Sequence, residues 1–107
     1  MDQQINALLS QAHSVVVVSH IRPDGDAIGS LLGMGLALMH AGKKVQMVLQ
    51  DGLPEKYNFL PGSDLVQRRI ESPFDTLIVV DCSDLERTGL ILQGQNPPDL
   101  VIDHHKT

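Results

Sequence analysis

Three short apolar runs, at residues 15–18, 77–80 and 100–102, constrain the fold of this chain more than any other feature. They are continuous rather than alternating and are rich in β-branched residues, which is typical of parallel strands buried on both faces of a sheet. A fourth candidate strand, residues 45–49, follows a glycine and two lysines. Because helical segments lie between these runs, the sequence predicts a Rossmann-like, three-layer α/β domain with a parallel sheet.

The spacing of apolar residues predicts two helices. Residues 27–39 carry apolar side chains three and four positions apart, and residues 1–12 do the same before the first strand. Gly42 suits the left-handed residue that follows the longer helix. Three glycines lie within that helix, and close packing of the helix on the sheet would explain them. They are Gly29, Gly33 and Gly35.

The connecting segments are identified by their glycines, prolines and polar residues. Residues 51–64 are predicted to form a loop with one helical turn at 55–59. Residues 83–98 are predicted to form a second polar connection with a turn at 89–93. Residues 66–71 fit neither a strand nor a helix well.

Composition excludes several classes of protein. Eight Lys and Arg against thirteen Asp and Glu give a net charge of −5, which disfavours a nucleic-acid binder that relies on a basic surface. A hydrophobic content of 42% over 107 residues fits one folded domain. The single Cys82 permits no internal disulfide, and the uncharged stretch at 27–42 is too short to span a bilayer. We therefore expect a soluble, cytoplasmic protein that does not contact membranes.

Polar clusters follow three of the predicted strands. The first strand leads into His20, Asp24 and Asp26, the third into Asp81, and the last into the Asp-His-His run at 103–105. The carboxyl ends of parallel strands meet at one edge of a sheet, where carboxylates packed together repel one another unless a cation lies between them. Carboxylate and imidazole ligands suit Mn²⁺, Co²⁺, Zn²⁺ or Fe²⁺, and Mg²⁺ where oxygen ligands dominate. The sequence therefore predicts a divalent-metal site at this edge.

These motifs, in this order, resemble those of the DHH phosphoesterase family. The run SHIRPDGDAIGS at 19–30, the segment NFLPG at 58–62 and DHH at 103–105 are most similar to the oligoribonuclease (nanoRNase) and pAp-phosphatase branch of that family. The resemblance implies a two-metal hydrolase of short oligoribonucleotides or nucleotide phosphates such as 3′-phosphoadenosine 5′-phosphate (pAp). Mn²⁺ is the cation that it implies first, with Mg²⁺ or Co²⁺ as alternatives.

The resemblance also implies which residues bind the two cations. His20, Asp24 and Asp81 would bind the first, and Asp26, Asp81 and His104 would bind the second, so that Asp81 bridges the pair. Two cations that share a water would activate it for in-line attack on phosphorus. The catalytic residues expected on this basis are Asp81, His104 and His105.

Other polar residues receive supporting roles from the same resemblance. His105 would face the substrate phosphate, and Asp103 would orient the histidines. Arg87 lies in a segment similar to one of the family and would either contact phosphate or form an ion pair with Asp84 or Glu86.

Members of the family continue past this point with a further Asp ligand and a DHHA1 domain. We therefore expect residues 1–107 to be a DHH domain that is incomplete at its C-terminus, with weak or no turnover by itself, from a protein that is homodimeric at full length. One alternative is a non-catalytic module that binds metal or nucleotide. Other activities of the family also stay open, namely inorganic pyrophosphatase, exopolyphosphatase, cyclic-dinucleotide phosphodiesterase and RecJ-like exonuclease.

Overall fold

The computed structural model describes residues 3–82 and 84–103. An α-helix precedes each of the first two strands, and among the described residues the later strands are joined by loops and short 3-10 helices. In chain order the helices and strands are α1 (Gln3–Gln11), β1 (Ser14–Val18), α2 (Gly25–His40), β2 (Lys44–Val48), β3 (Val66–Gln67), β4 (Thr76–Val80) and β5 (Leu100–Ile102). The 3-10 helices are Glu55–Tyr57, Ser63–Leu65 and Leu85–Thr88.

The five strands form one parallel sheet in the order β3-β2-β1-β4-β5. This is the strand order of the Rossmann fold, so the predicted Rossmann-like α/β architecture is confirmed. All four predicted strands are present, and the ambiguous segment at 66–71 contributes the two-residue edge strand β3. The turn expected at 55–59 is the 3-10 helix Glu55–Tyr57.

Both faces of the sheet are buried, which explains why the central strands are continuously apolar. On one face, Val17 lies in an apolar cluster with Ile28 and Leu31 of α2, and α1 packs against the same cluster. On the other face, Val16 lies in a second cluster that is covered by Phe74 and Ile91. The third layer is therefore built from connecting segments, since no α-helix covers this second face among the described residues.

The limits of α2 follow from the residues at its ends. Asp24 is the N-cap, and its Oδ1 accepts a hydrogen bond of 2.9 Å from the amide of Ala27, so the helix begins before the predicted residue 27. Gly42 follows the helix with a φ of +87°, the left-handed conformation expected for it. Within residues 3–82 and 84–103, neither helix has the length and apolar character that crossing a membrane requires.

Carboxylates at the amino edge of the sheet are satisfied by the protein itself. Asp75 accepts hydrogen bonds from the amides of His13 and Ser14 and from the hydroxyl of Thr76. The Thr76 hydroxyl is the main reason why the pKa of Asp75 lies below its usual value. Asp99 accepts a hydrogen bond of 2.8 Å from the amide of Leu77. These acidic residues hold the amino ends of β1, β4 and β5.

The three glycines of α2 have different surroundings. A Cβ at Gly35 would overlap the buried side chain of Met47 in β2, so close packing on the sheet explains this glycine. A Cβ at Gly29 or Gly33 would meet nothing within 4 Å. The packing explanation is therefore wrong for Gly29 and Gly33, because neither position faces a neighbouring element closely.

This difference makes Gly35→Ala and Gly33→Ala a matched pair. Gly35→Ala should lower the free energy of unfolding by about 1–3 kcal/mol, because the new methyl group overpacks the core against Met47. Gly33→Ala should raise it by about 0.5–1 kcal/mol, because alanine has the better helix propensity and the space is open. Urea unfolding of both variants measures the two values, and effects of equal sign would contradict this packing.

Candidate metal site

Two hydrogen bonds join the carboxyl ends of the central strands. The buried hydroxyl of Ser19 donates to the carbonyl of Val80 at 2.8 Å, which fixes the end of β1 against the end of β4. The amide of Asp81 donates to the carbonyl of Ile102 at 2.7 Å, which fixes β5 beside them. The chain leaves β1 toward one edge of the sheet and β4 toward the other, and a crevice at such a point is where ligands bind in open α/β sheets.

Three predicted ligands meet in this crevice. His20 Nε2 lies 3.7 Å from Asp81 Oδ2 and 3.9 Å from Asp24 Oδ1. One donor atom from each of the three residues lies within 4.8 Å of the others. Because Zn²⁺ and similar cations bind nitrogen and oxygen at about 2.0–2.2 Å, donors that share one ion are about 3–4.4 Å apart. The spacing in this crevice is therefore close to what one shared cation requires.

The hydrogen bond of the His20 ring sets its tautomer. His20 is 6% exposed, and its Nδ1 lies 2.7 Å from the carbonyl oxygen of Ile21. A carbonyl only accepts, so Nδ1 carries a proton and Nε2 is the ring nitrogen that faces the two carboxylates. A cation between Nε2 and the carboxylate oxygens would be bound by the lone pair of Nε2, because a histidine ligand must be unprotonated at the binding nitrogen. This pattern, with one ring nitrogen fixed by a carbonyl, is that of metal-binding histidines.

Asp81 has an unusual backbone conformation. Its φ is +53°, in the left-handed region that costs a non-glycine residue about 1–2 kcal/mol. The residue is 2% exposed, and both carboxylate oxygens are shielded from solvent. Strain of this kind persists where the surrounding structure enforces it, and it is concentrated at functional sites. Here the paired ends of β1, β4 and β5 enforce it.

The site is open on the side of Asp24. The side chain of Asp24 is 60% exposed, whereas those of His20 and Asp81 are buried. Asp24 also caps α2, so the amino end of a 16-residue helix lies beside the three ligands. Helix amino ends favour anions, because their first amides point outward and the helix dipole is positive there. A cation held by the three residues and an anion from solvent would both be stabilised at this place.

Other predicted site residues lie around this group or outside the described residues. Asp26 is exposed in the first turn of α2 and is not one of the three grouped ligands. Asp103 is half-buried directly after β5. His104 and His105 lie outside the described residues, so their expected roles stay predictions.

Arg87 lies beside the loop that follows β1 but does not form the predicted ion pair. Its carbonyl accepts a hydrogen bond of 2.5 Å from the amide of Ile21, which holds the 3-10 helix Leu85–Thr88 against the loop. Its side chain is exposed, and in the described part of the chain it forms no ion pair with Asp84 or Glu86. The ion-pair alternative is therefore wrong, and contact with phosphate stays a prediction.

Cys82, next to Asp81, is a buried thiol. Burial raises its pKa, and its Sγ donates to the carbonyl of Asp84 at 3.1 Å. It is not one of the grouped donors. It packs as a small apolar residue.

Sequence reasoning missed three residues that shape the site. Ser19 joins β1 to β4 as described, and its position after the strand was the only signal for it. Asp51 Oδ2 accepts a hydrogen bond of 2.6 Å from the amide of Arg22. The Tyr57 hydroxyl lies 3.4 Å from where a Cβ on Gly25 would stand. These last two contacts join segments about 30 residues apart, and no motif spacing indicates them.

Comparison with known proteins agrees with these observations. The sequence matches the N-terminal domain of the DHH family over residues 14–107. It is 34% identical over 96 residues to the bifunctional oligoribonuclease and PAP phosphatase NrnA of Thermus thermophilus, a match that covers 87% of this chain and 28% of that protein. A solved structure of an exopolyphosphatase-related protein from Bacteroides fragilis is similar with a TM-score of 0.80 and 26% identity, covering 98% of this chain and 34% of that one.

This chain thus spans about a third or less of the length of these relatives. The family match covers most of its residues, including every strand of the sheet and the three grouped ligands. The resemblance found in the motifs is confirmed, and the chain belongs to the DHH family.

Proposed function

We propose that this chain carries the metal-binding part of a phosphoesterase that hydrolyses nucleotide phosphoesters with a divalent cation. The observation that supports this most is the meeting of His20, Asp24 and Asp81 at the β1/β4 crevice, with their donor atoms within 4.8 Å of one another. The chemistry of these donors fits Mn²⁺, which accepts both imidazole and carboxylate ligands. A second cation would be held by Asp26, Asp81 and His104, as the family resemblance implies.

His20, Asp81 and Asp24 would bind the cation, and the amino end of α2 would orient the substrate phosphate. His20 presents Nε2 because its Nδ1 is held by the Ile21 carbonyl. Asp81 supplies a shielded negative charge, and Asp24 supplies one that solvent and substrate can reach. The amino end of α2 would orient a phosphate oxygen toward the site. A bound divalent cation lowers the pKa of water and stabilises charge that develops on phosphate oxygens.

The substrate class is proposed from the relatives. Identity is 34% with a protein named an oligoribonuclease and PAP phosphatase and 26% with one named exopolyphosphatase-related. We therefore propose short oligoribonucleotides or nucleotide phosphates such as pAp as substrates. The free, buried Cys82 supports a reducing compartment, which we propose to be the cytoplasm.

Metal binding should stabilise the folded chain. At 100 times its Kd, Mn²⁺ should raise the free energy of unfolding by about 2.7 kcal/mol, since it binds a site that the unfolded chain lacks. Asp81→Asn and Asp24→Asn should lose most of this gain, and asparagine at 24 preserves the helix cap. Thermal unfolding with and without Mn²⁺ measures the effect.

Asp64→Asn is the matched control, because Asp64 is an exposed aspartate in the 3-10 helix Ser63–Leu65 and is not a grouped ligand. It should keep the full Mn²⁺ shift. An equal Mn²⁺ shift in the wild type, Asp24→Asn and Asp81→Asn would contradict a site at these residues.

Hydrolysis of pAp tests the reaction itself. With the chain in excess over pAp, release of phosphate should be slow, should need Mn²⁺ and should fall about 100-fold or more in Asp81→Asn, because charge stabilisation at phosphate oxygens is lost. Phosphate release measured over hours in Mn²⁺ or EDTA gives these rates. Phosphate release at the same rate in Mn²⁺, in EDTA and in Asp81→Asn would contradict the proposal.

A further inference from the structure

Residues 51–65, called the aromatic loop below, lie against the segment that carries the metal ligands. Asp51, at the start of the loop, accepts a hydrogen bond of 2.6 Å from the amide of Arg22. The hydroxyl of Tyr57 approaches the backbone of Gly25, the first residue of α2. Arg22 and Gly25 lie between His20 and Asp26 in the sequence, so the loop forms a wall on the β2 side of the site.

The aromatic loop is held in shape by its own contacts. The half-buried side chains of Tyr57 and Leu60 pack against the core cluster that contains α2. The hydroxyl of Ser63 donates to the carbonyl of Asn58 at 2.8 Å and closes the turn between them. Gly62 has a φ of +83°, and a Cβ there would press on Leu36 of α2. A loop fixed in this way can present a side chain at a defined place.

Phe59, in the middle of this loop, is 79% exposed, more than the other large apolar side chains that the structure describes as exposed. Only three residues of the chain are aromatic, and two of them, Tyr57 and Phe59, are in this loop. Two residues of chain separate Cα atoms by at most about 7.6 Å, so the backbone of Phe59 lies near that of Tyr57, whose hydroxyl approaches α2. An exposed aromatic ring on a loop that contacts the start of α2 offers a surface on which a nucleobase can stack.

The aromatic loop also carries a positive charge. The ammonium group of Lys56 lies 5.3 Å from the centre of the Tyr57 ring, where the face of the ring attracts a cation. Lys56 thus stands next to the residue that touches α2, in a chain whose net charge is −5. A lysine at this place would favour the approach of a phosphate-bearing ligand.

We propose that the aromatic loop binds the nucleoside part of the substrate, with Phe59 stacked on the base of a nucleotide whose phosphate lies at His20, Asp24 and Asp81. This inference rests on the proposed function and narrows it, because it selects ligands that contain a base over phosphates that have none. Lys56 supplies charge to the same ligand, and Tyr57 is a positioning residue that holds the loop on α2.

The test compares two ligands that differ only in the base, adenosine 5′-monophosphate and ribose 5-phosphate. With Mn²⁺ present, the wild-type chain should bind the nucleotide about 5- to 100-fold more tightly, as expected when one base stacks on an aromatic ring. Phe59→Ala should reduce this preference to near unity, and Phe59→Trp should keep it. Isothermal titration calorimetry measures each Kd.

Leu90→Ala is the matched control, because Leu90 is 68% exposed and lies outside the aromatic loop. It should keep the wild-type preference. Phe59→Ala should also keep the Mn²⁺-induced rise in melting temperature and the affinity for ribose 5-phosphate, which separates loss of stacking from damage to the metal site.

The stacking inference would be overturned if the wild type bound the two ligands with equal affinity, or if Phe59→Ala kept the wild-type preference for the nucleotide. Neither result would contradict the proposed metal site. If neither ligand binds the wild type in a Mn²⁺-dependent way, the proposed function fails and the stacking inference fails with it.

Discussion

A shielded carboxylate next to an imidazole is the constraint around which the carboxyl edge of this sheet is arranged. Removing a carboxylate from water is unfavourable unless a charge or hydrogen bonds compensate it, and Asp81 is 2% exposed. Its left-handed backbone adds a further cost. The fold tolerates the buried carboxylate and the left-handed backbone because β1 and β4 are held firmly by their apolar faces. Hydrogen bonds from Ser19 and Asp81 also join the ends of β1, β4 and β5. The apolar strands therefore do more than form the core, since they hold His20 and Asp81 in one place.

The two edges of the sheet show how the same residue type acquires different roles. At the amino edge, Asp75 and Asp99 accept hydrogen bonds from backbone amides, and these bonds hold strand ends together. At the carboxyl edge, Asp24 and Asp81 lie beside Nε2 of His20. Asp75 and Asp99 hold strand ends, whereas Asp81 and Asp24, which also caps α2, lie beside another potential ligand. This difference, rather than the number of acidic residues, favours the metal interpretation.

Much of the fold follows from local sequence, while the site depends on contacts between distant segments. The β-branched runs predicted β1, β4 and β5, because a strand buried on both faces requires apolar side chains throughout. The strand order β3-β2-β1-β4-β5 was not fixed by local patterns, since it depends on the direction of each crossover. The helical spacing of apolar residues also could not show that Gly35 and Gly33 have different surroundings. A Cβ at Gly35 would overlap Met47, whereas a Cβ at Gly33 would meet nothing within 4 Å. His20, Asp24 and Asp81 were recognised from their motifs, but the tautomer of His20 and the contacts of Asp51 and Tyr57 required the folded chain.

The proposed phosphoesterase requires a divalent cation among His20, Asp24 and Asp81. Diffraction from crystals grown with Mn²⁺, recorded at the manganese absorption edge, locates the ion directly by its anomalous signal. We expect an anomalous peak about 2.0–2.3 Å from His20 Nε2 and from carboxylate oxygens of Asp81 and Asp24. A peak elsewhere, with no density between these three side chains at saturating Mn²⁺, would contradict it.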